Sequence, residues 1–385
     1  MRRRTYDAVV IGSGSIGVPT AWALARDGLS VLVLDPLPST GQGSNKTAIG
    51  GIRATHSDPA KIRLGLRSLE IASTWRERYG DDIEWTTGGY AFVATGEREE
   101  QVLKELLAVQ VRYGLDIAWL ERRELLDVVP TLRREIVRGG TYSPADGHCS
   151  PLLFGHAMFR QAKAAGVEFR FGEAARRIER SADRVCAVAT DKSLYATRTV
   201  VNAAGAWAAG VGEMAGTEHP VRPDAHEAGI TEPVAPFLRP MVVDIRPSPG
   251  SANYYFFQLA TGQVVFCVTP SPSVWGFDRR ETSRFLPLVA RRMVDLMPCL
   301  ANLRVRRTWR GLYPMTPDGS PIVGQSKDIE GYVMAIGMCG QGFMLGPGVG
   351  ELVSRVVRRE TTREDDEVLT LLSPHRAFSR AEVLK

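Results

Sequence analysis

The sequence predicts an α/β chain, α+β overall, in which a Rossmann-like nucleotide-binding domain carries an inserted antiparallel-sheet domain. Three observations predict it. An apolar run, Ala8-Val9-Val10-Ile11, leads straight into Gly12-Ser13-Gly14-Ser15-Ile16-Gly17. A second glycine-rich run, Gly340-Gln341-Gly342-Phe343-Met344-Leu345-Gly346, follows another apolar run, Tyr332 to Ile336. Between them, residues 219–318 lose the alternation of strand and helix and become rich in proline, aromatics and short β-like runs.

Each element has its own warrant. Residues 8–11 read as a buried parallel strand. Gly12 allows a tight turn, Gly14 lets backbone approach a pyrophosphate, and Gly17 lets the next helix pack closely. Residues 16–27 read as that helix, whose N-terminus favours an anion. A second strand, Val31 to Leu34, ends in Asp35 and Pro36, with the carboxylate placed to accept hydrogen bonds from ribose hydroxyls. Together these point to a dinucleotide; the competing reading is a tight turn with no ligand. Residues 36–53 form a polar, glycine-rich loop and Pro59 to Tyr79 an amphipathic helix. Glu84 to Thr95 suggests a hairpin around Gly88-Gly89, 97–113 a charged surface helix and 121–128 a shorter one. Ser150-Pro151 opens a helix to about Ala165, and Val167 to Phe171 is a strand. Thr199 to Gly205 resumes a parallel strand and turn. Pro240 to Ile245, Tyr254 to Gln258 and Val264 to Val268 suit an antiparallel sheet, and parallel character returns at Tyr332. The expected division is a cofactor domain from 1–82, 147–217 and 319–385, and a substrate domain from 83–146 and 218–318. The charged tail after about Thr361 is expected to be peripheral.

Composition narrows the function classes. The chain of 385 residues, 44% of them hydrophobic, holds two cores without strain. No apolar run approaches the roughly 20 residues that span a bilayer, and Arg2 to Arg4 are followed by a strand rather than a leader. The five cysteines are scattered without CxxC spacing, which argues against a disulfide framework or a metal site and fits a reducing cytoplasm. A net charge of +5, with no basic run interleaved with aromatics, gives nucleic-acid binding little support. No lysine lies between Lys192 and Lys327.

Five motifs in order, GSGSIG (12–17), GSNKTAIGGIR (43–53), VNAAGAW (201–207), LYPMTPDGSPIVG (312–324) and GMCGQGFMLGPGVGELV (337–353), resemble the flavin-dependent amine oxidoreductases of the D-amino acid oxidase and sarcosine oxidase superfamily. ITEPVAPFLRPM (230–241) is most similar to the branch holding sarcosine oxidase β-subunits, proline dehydrogenase β-subunits, opine oxidase, the cyanide-forming glycine dehydrogenase and glycine oxidase. The resemblance implies non-covalent FAD. Gly12, Ser13, Gly14, Ser15, Ile16 and Gly17 would hold the pyrophosphate, with Asp35 and Pro36 at the ribose. Gly43, Ser44, Asn45, Ala48, Ile49, Gly50 and Gly51 would line the pyrophosphate and flavin ring. Ala175 would meet the adenine, and Ala204, Gly205 and Trp207 the dinucleotide. Gly340, Gln341, Gly342, Phe343 and Met344 would cap the pyrimidine edge, where backbone N–H groups stabilise an anionic reduced flavin.

The same resemblance assigns substrate residues. Arg53 stands where sarcosine oxidases hold the substrate carboxylate, a task suited to a bidentate guanidinium, with a structural ion pair as the alternative. Tyr313 replaces a carboxylate-binding arginine of glycine and D-amino acid oxidases, and either donates one hydrogen bond or simply packs. Met344 replaces a second carboxylate contact, a lysine. Gly311, Thr47 and Ala48 stand where relatives carry flavin-linking cysteine or histidine, and Cys339 reads as packing. Covalent FMN near Pro151 and His148 is not expected. His56 and His226 either tune substrate protonation or are structural. The absent lysines favour a dehydrogenase over an oxidase, passing electrons to an acceptor or to partner subunits. The implied reaction is oxidation of the C–N bond of a small amino acid or N-alkyl amino acid by hydride transfer to flavin N5, followed by imine hydrolysis. Two alternatives stay open: a 2-hydroxy acid or glycerol-phosphate oxidoreductase with His56 as base, and a non-catalytic electron-transfer subunit.

Overall fold

The computed structural model describes residues 4–379 and 382–384; Arg2 and Arg3 lie outside them. Among the described residues, hydrophobic alternation builds two large sheets. The first is six-stranded, in the order Ile322–Gln325, Tyr332–Ile336, Val200–Asn202, Ala8–Ile11, Val31–Asp35, Glu168–Phe171. All neighbours pair parallel except the first two. Its central strands, 8–11, 31–35, 200–202 and 332–336, are largely apolar because both faces are covered, whereas the edge strand Glu168–Phe171 carries Glu168 and Arg170 and is only half-buried. Ala8 and Val10 pack with the helices Gly17–Arg26, Pro59–Ser73, Pro151–Ala164 and Gly342–Arg358. Val9 and Ile11 face a second cluster beneath the helix Ala208–Ala215 and a small four-stranded sheet.

The second large sheet is eight-stranded: Val305–Met315, Arg222–Thr231, Val264–Ser271, Gly250–Gln258, Met241–Asp244, Tyr90–Ala94, Gly139–Ser143, Ala118–Glu121. It is antiparallel apart from the pairing of 241–244 with 90–94. A two-stranded contact, Gly51 with His148 and Ile52 with Gly147, ties the polar loop to the start of the 151–164 helix.

Gly12 shows why the first turn needs glycine. Its φ is +107°, and a Cβ there would lie 2.5 Å from the Ala203 carbonyl oxygen. Gly17 is equally confined, since a Cβ would sit 1.8 Å from the Gly12 oxygen.

Several elements differ from expectation. The 59–79 helix breaks at Thr74, whose hydroxyl donates back to the Glu70 carbonyl at 2.6 Å, leaving helices Pro59–Ser73 and Trp75–Tyr79. No hairpin forms at Gly88-Gly89. Gly89 instead donates to Asp146 O, and Gly88 abuts the Arg239 carbonyl, where a Cβ would come within 2.4 Å. These glycines serve close approach between distant strands, not a turn. Helices Ala208–Ala215 and Phe285–Leu296 were not anticipated; the second carries Phe285, Val289, Met293 and Leu296 at helical spacing. The tail is not peripheral. It forms a helix, Arg363–Leu371, and then buries Glu382 and Leu384 inside the molecule.

Candidate active site

A cavity of about 900 Å³ opens at the carboxyl ends of the parallel strands and continues under the eight-stranded sheet. That is the upper end of the usual range for ligand sites, and the location is the usual one for open α/β sheets. Its first stretch is lined by Gly12 to Ile16, Asp35, Pro36 and Ala175, and its middle by Gly43 to Asn45, Ala48 to Gly51, Ala204, Gly205 and Trp207. Gly340, Gln341, Gly342, Phe343 and Met344 close one side. Stretches far apart in sequence therefore share one cavity. Gly17 stands outside the lining, packed against the strand.

The turn is locked from within. Asp35 Oδ2 accepts from the Ser13 amide at 2.8 Å and hydroxyl at 2.7 Å, and Oδ1 accepts from the Leu37 amide at 2.9 Å. A carboxylate offers about four acceptor positions, so about one is left for a ribose hydroxyl. Ser15 donates to Asn45 Oδ1 at 2.7 Å, and Ser44 to the Leu312 carbonyl at 2.7 Å. These bonds hold the 43–51 loop against both sheets.

The cavity suits a large dinucleotide. Gly14 and Gly205 have open space where a Cβ would stand. The 17–26 and 342–358 helices aim their N-termini at it. The Gln341 amide oxygen and nitrogen are both buried without a protein partner, which is costly unless a ligand meets them. Cys339 remains a thiol, because burial pushes its pKa up, and its Sγ lies 3.3 Å from the Thr316 hydroxyl. A Cβ on Gly311 would come 2.4 Å from Thr47 Oγ1, so that position admits no larger side chain without rearrangement. His148 is buried against Phe257 with ring centroids 4.4 Å apart, and burial lowers its pKa to about 4.

The far end of the cavity is aromatic and holds Arg53. Tyr90, Phe92, Met241, Tyr255 and Tyr313 line it. The Tyr90 hydroxyl fills the space above Gly51, where a Cβ would lie 1.8 Å away. Tyr313 and Tyr255 share a hydrogen bond of 2.8 Å, and the Tyr313 ring stacks on His226 at 3.7 Å. Burial raises the pKa of both tyrosines, so they stay protonated. His226 is held by Asp224 at 3.3 Å; burial lowers its pKa more than the aspartate raises it, which keeps the ring neutral.

Arg53 is buried and borders the cavity. Its guanidinium meets neutral groups: the Thr55 carbonyl, His56 Nδ1 at 3.2 Å and the Leu384 carbonyl at 2.7 Å. It also lies over the Phe92 ring, 5.4 Å from the centroid. His56 is placed differently from Arg53 and Tyr313. It is fully buried, absent from the lining, and accepts a hydrogen bond from Arg53. Burial first, then the charges of Arg53 and Lys61, hold its pKa well below 6.5. A neutral ring behind the arginine is in no position to take a substrate proton.

Sequence reasoning missed most of the aromatic wall. Tyr90 and Phe92 are separated by two, as are Met241 and Val243, and all four line the cavity. That period-two pattern was available, but nothing local said which sheet face met the cavity.

The chain is similar to several known proteins. The glycine oxidase of Geobacillus kaustophilus is 28% identical, over 94% of this chain and 95% of its own length. The hydrogen cyanide synthase subunit HcnC of Pseudomonas aeruginosa is also 28% identical, over 93% of this chain and 94% of its own. The crystal structure of L-proline dehydrogenase from P. horikoshii superposes with a TM-score of 0.90 at 29% identity, covering 97% of this chain and 98% of that one. Matched over residues 7–356 by the family of FAD dependent oxidoreductases, the chain belongs to that family.

Proposed function

We propose that this chain binds FAD and oxidises the C–N bond of a small amino acid or N-alkyl amino acid. The observation that carries the reading is Arg53: a buried guanidinium with neutral partners, at the aromatic end of the cavity that the flavin motifs line. A buried cation without a carboxylate at hydrogen-bonding distance calls for an anion, and a substrate carboxylate supplies one. The similarity to glycine oxidase and to L-proline dehydrogenase supports the same class.

When bound, FAD supplies the two-electron acceptor for the hydride that leaves the carbon next to nitrogen. The residues of the chain do the rest. Gly12 to Ile16, Asp35, the 43–51 loop and Gly340 to Met344 hold the cofactor. Arg53 orients the carboxylate, and the Tyr255–Tyr313 pair offers a hydroxyl donor at the same end. The aromatic wall makes that end of the cavity largely apolar. The Arg53 charge and low local polarity disfavour a second cation, so the amine binds in its neutral form, its proton having passed to bulk water. The imine product is hydrolysed in water.

The same reading makes the cofactor non-covalent and divides the chain into 1–82, 147–217 and 319–385 for FAD and 83–146 and 218–318 for substrate. It favours a dehydrogenase, since no described residue lining the cavity is a lysine. An electron acceptor or partner subunit then takes up the electrons. No helix among the described residues is long and apolar enough to cross a membrane, and five free cysteines suit a reducing cytoplasm. A hydroxy-acid reaction is less well served, because its expected base, His56, lies behind Arg53.

The test is anaerobic titration of the flavin-loaded protein. Sarcosine, proline or glycine is expected to bleach the flavin; bleaching by 2-hydroxy acids alone would overturn the reading. Slow reoxidation by air and fast reoxidation by a dye are expected of a dehydrogenase, and the reverse order of an oxidase.

A further inference from the structure

The segment Glu382–Leu384 returns into the molecule beside the cavity. Leu384 is 1% exposed and packs with Tyr90, Phe92, Met241 and Val243, the residues that form the aromatic end. Glu382 is buried and ion-paired with Lys61, which is itself fully buried and donates to the Gly319 carbonyl at 3.1 Å. Glu382 also accepts from the Ser57 amide at 3.1 Å, and its own amide donates to Asp318 O at 3.0 Å. The Val383 amide donates to the Ser57 hydroxyl at 3.1 Å. The segment is thus fixed to the turn that follows Arg53, and from there the Leu384 carbonyl accepts from Arg53 Nη2 at 2.7 Å.

A guanidinium carries five N–H donors. Three bonds, to Thr55, His56 and Leu384, leave two donors, which is what one bidentate carboxylate needs. These three partners are neutral; the buried carboxylate within range of the Arg53 charge, Asp146, is taken up by the Ala54 amide and the Thr55 hydroxyl instead of bonding the guanidinium. We infer that Glu382–Leu384 is a positioning strap of the substrate site: Glu382 anchors it on Lys61 and Ser57, and the Leu384 carbonyl fixes Arg53 so that its free donors meet the substrate carboxylate. The inference rests on the Arg53 reading proposed above. Glu382 and Leu384 are positioning residues, since they act through Arg53.

The experiment compares the full chain, a chain ending at Ser379, Glu382→Gln and Arg53→Lys, all flavin-loaded. Propionate serves as the carboxylate probe, its Kd read by titration calorimetry, alongside KM and kcat for the best amino acid, flavin content and thermal midpoint. The truncated chain is expected to bind propionate at least tenfold more weakly and Glu382→Gln several-fold more weakly. KM should rise in step while kcat and flavin content hold. If the truncated chain fails to fold, Glu382→Gln decides. Unchanged propionate affinity in the strap variants, with a weakened Arg53→Lys, would overturn the strap alone. Tighter binding on truncation would also overturn it, because the segment would then compete for Arg53. Propionate binding that Arg53→Lys leaves unchanged would overturn the Arg53 reading itself.

Discussion

The proposed chemistry rests most heavily on one side chain, Arg53, buried at the edge of the cavity. A lysine there keeps the charge but loses the planar fork. Arg53→Lys is expected to raise KM for the amino acid by about 10- to 100-fold, the loss of one charge-assisted hydrogen bond, with kcat much less affected; steady-state kinetics checks this. Gly51 is the corresponding steric point. An alanine would drive its Cβ into the Tyr90 hydroxyl at 1.8 Å and toward Met241 Cε at 2.9 Å. Gly51→Ala is expected to displace Tyr90 and lower both flavin content and turnover, read from the absorbance of the purified protein. His148 gives a pH dependence. Buried, its pKa falls to about 4, so the unfolded chain holds the extra proton between about pH 4 and 6.5. Stability therefore falls as pH drops through that window, by on the order of 3 kcal/mol. In His148→Gln, denaturant titrations from pH 7 to 4 should show that limb flattened.

At the level of elements, the strand–turn–helix units were legible because their chemistry is local. Apolar strands 8–11, 31–35 and 332–336, and the glycines after the first and last, declare themselves within a few residues. Gly12→Ala tests that locality. A residue at φ +107° is strained by at least about 1–2 kcal/mol, and its Cβ would meet the Ala203 carbonyl at 2.5 Å. The variant is expected to purify without flavin and with a lower thermal midpoint. What was not legible depended on distant partners. Gly88-Gly89 looked like a turn, yet each glycine admits another segment: Arg239 beside Gly88, and the Tyr142 ring 2.5 Å from a Cβ on Gly89. The 285–296 helix was hidden by the β-like composition around it, although its apolar spacing was present.

Across the whole molecule, the motif-lined stretch of the cavity could be read from sequence and the aromatic end largely could not. That stretch is built from backbone and small residues in recognisable motifs. The aromatic end is a meeting of sheet faces from 90–94, 241–244, 250–258 and 305–315, and only the fold brings them together. The tail illustrates the limit most clearly. Its charged composition suggested a surface, whereas Glu382 pairs with Lys61 in the interior and Leu384 reaches Arg53. For Glu382, burial alone would raise the carboxyl pKa, but Lys61 and nearby donors pull it well below the usual range. Its stabilising contribution is therefore complete above the ordinary glutamate value and is lost as pH falls below it.

The most direct test of C–N oxidation at this site is product analysis after a single anaerobic turnover. One equivalent of amino acid is mixed with flavin-loaded protein, and the quenched mixture is assayed for a carbonyl compound, a cyclic imine and released amine. About one equivalent of imine or its hydrolysis products is expected per flavin reduced, and almost none from Arg53→Ala at the same substrate level. Flavin reduction by 2-hydroxy acids alone, with no imine-derived product from any amino acid, would contradict it.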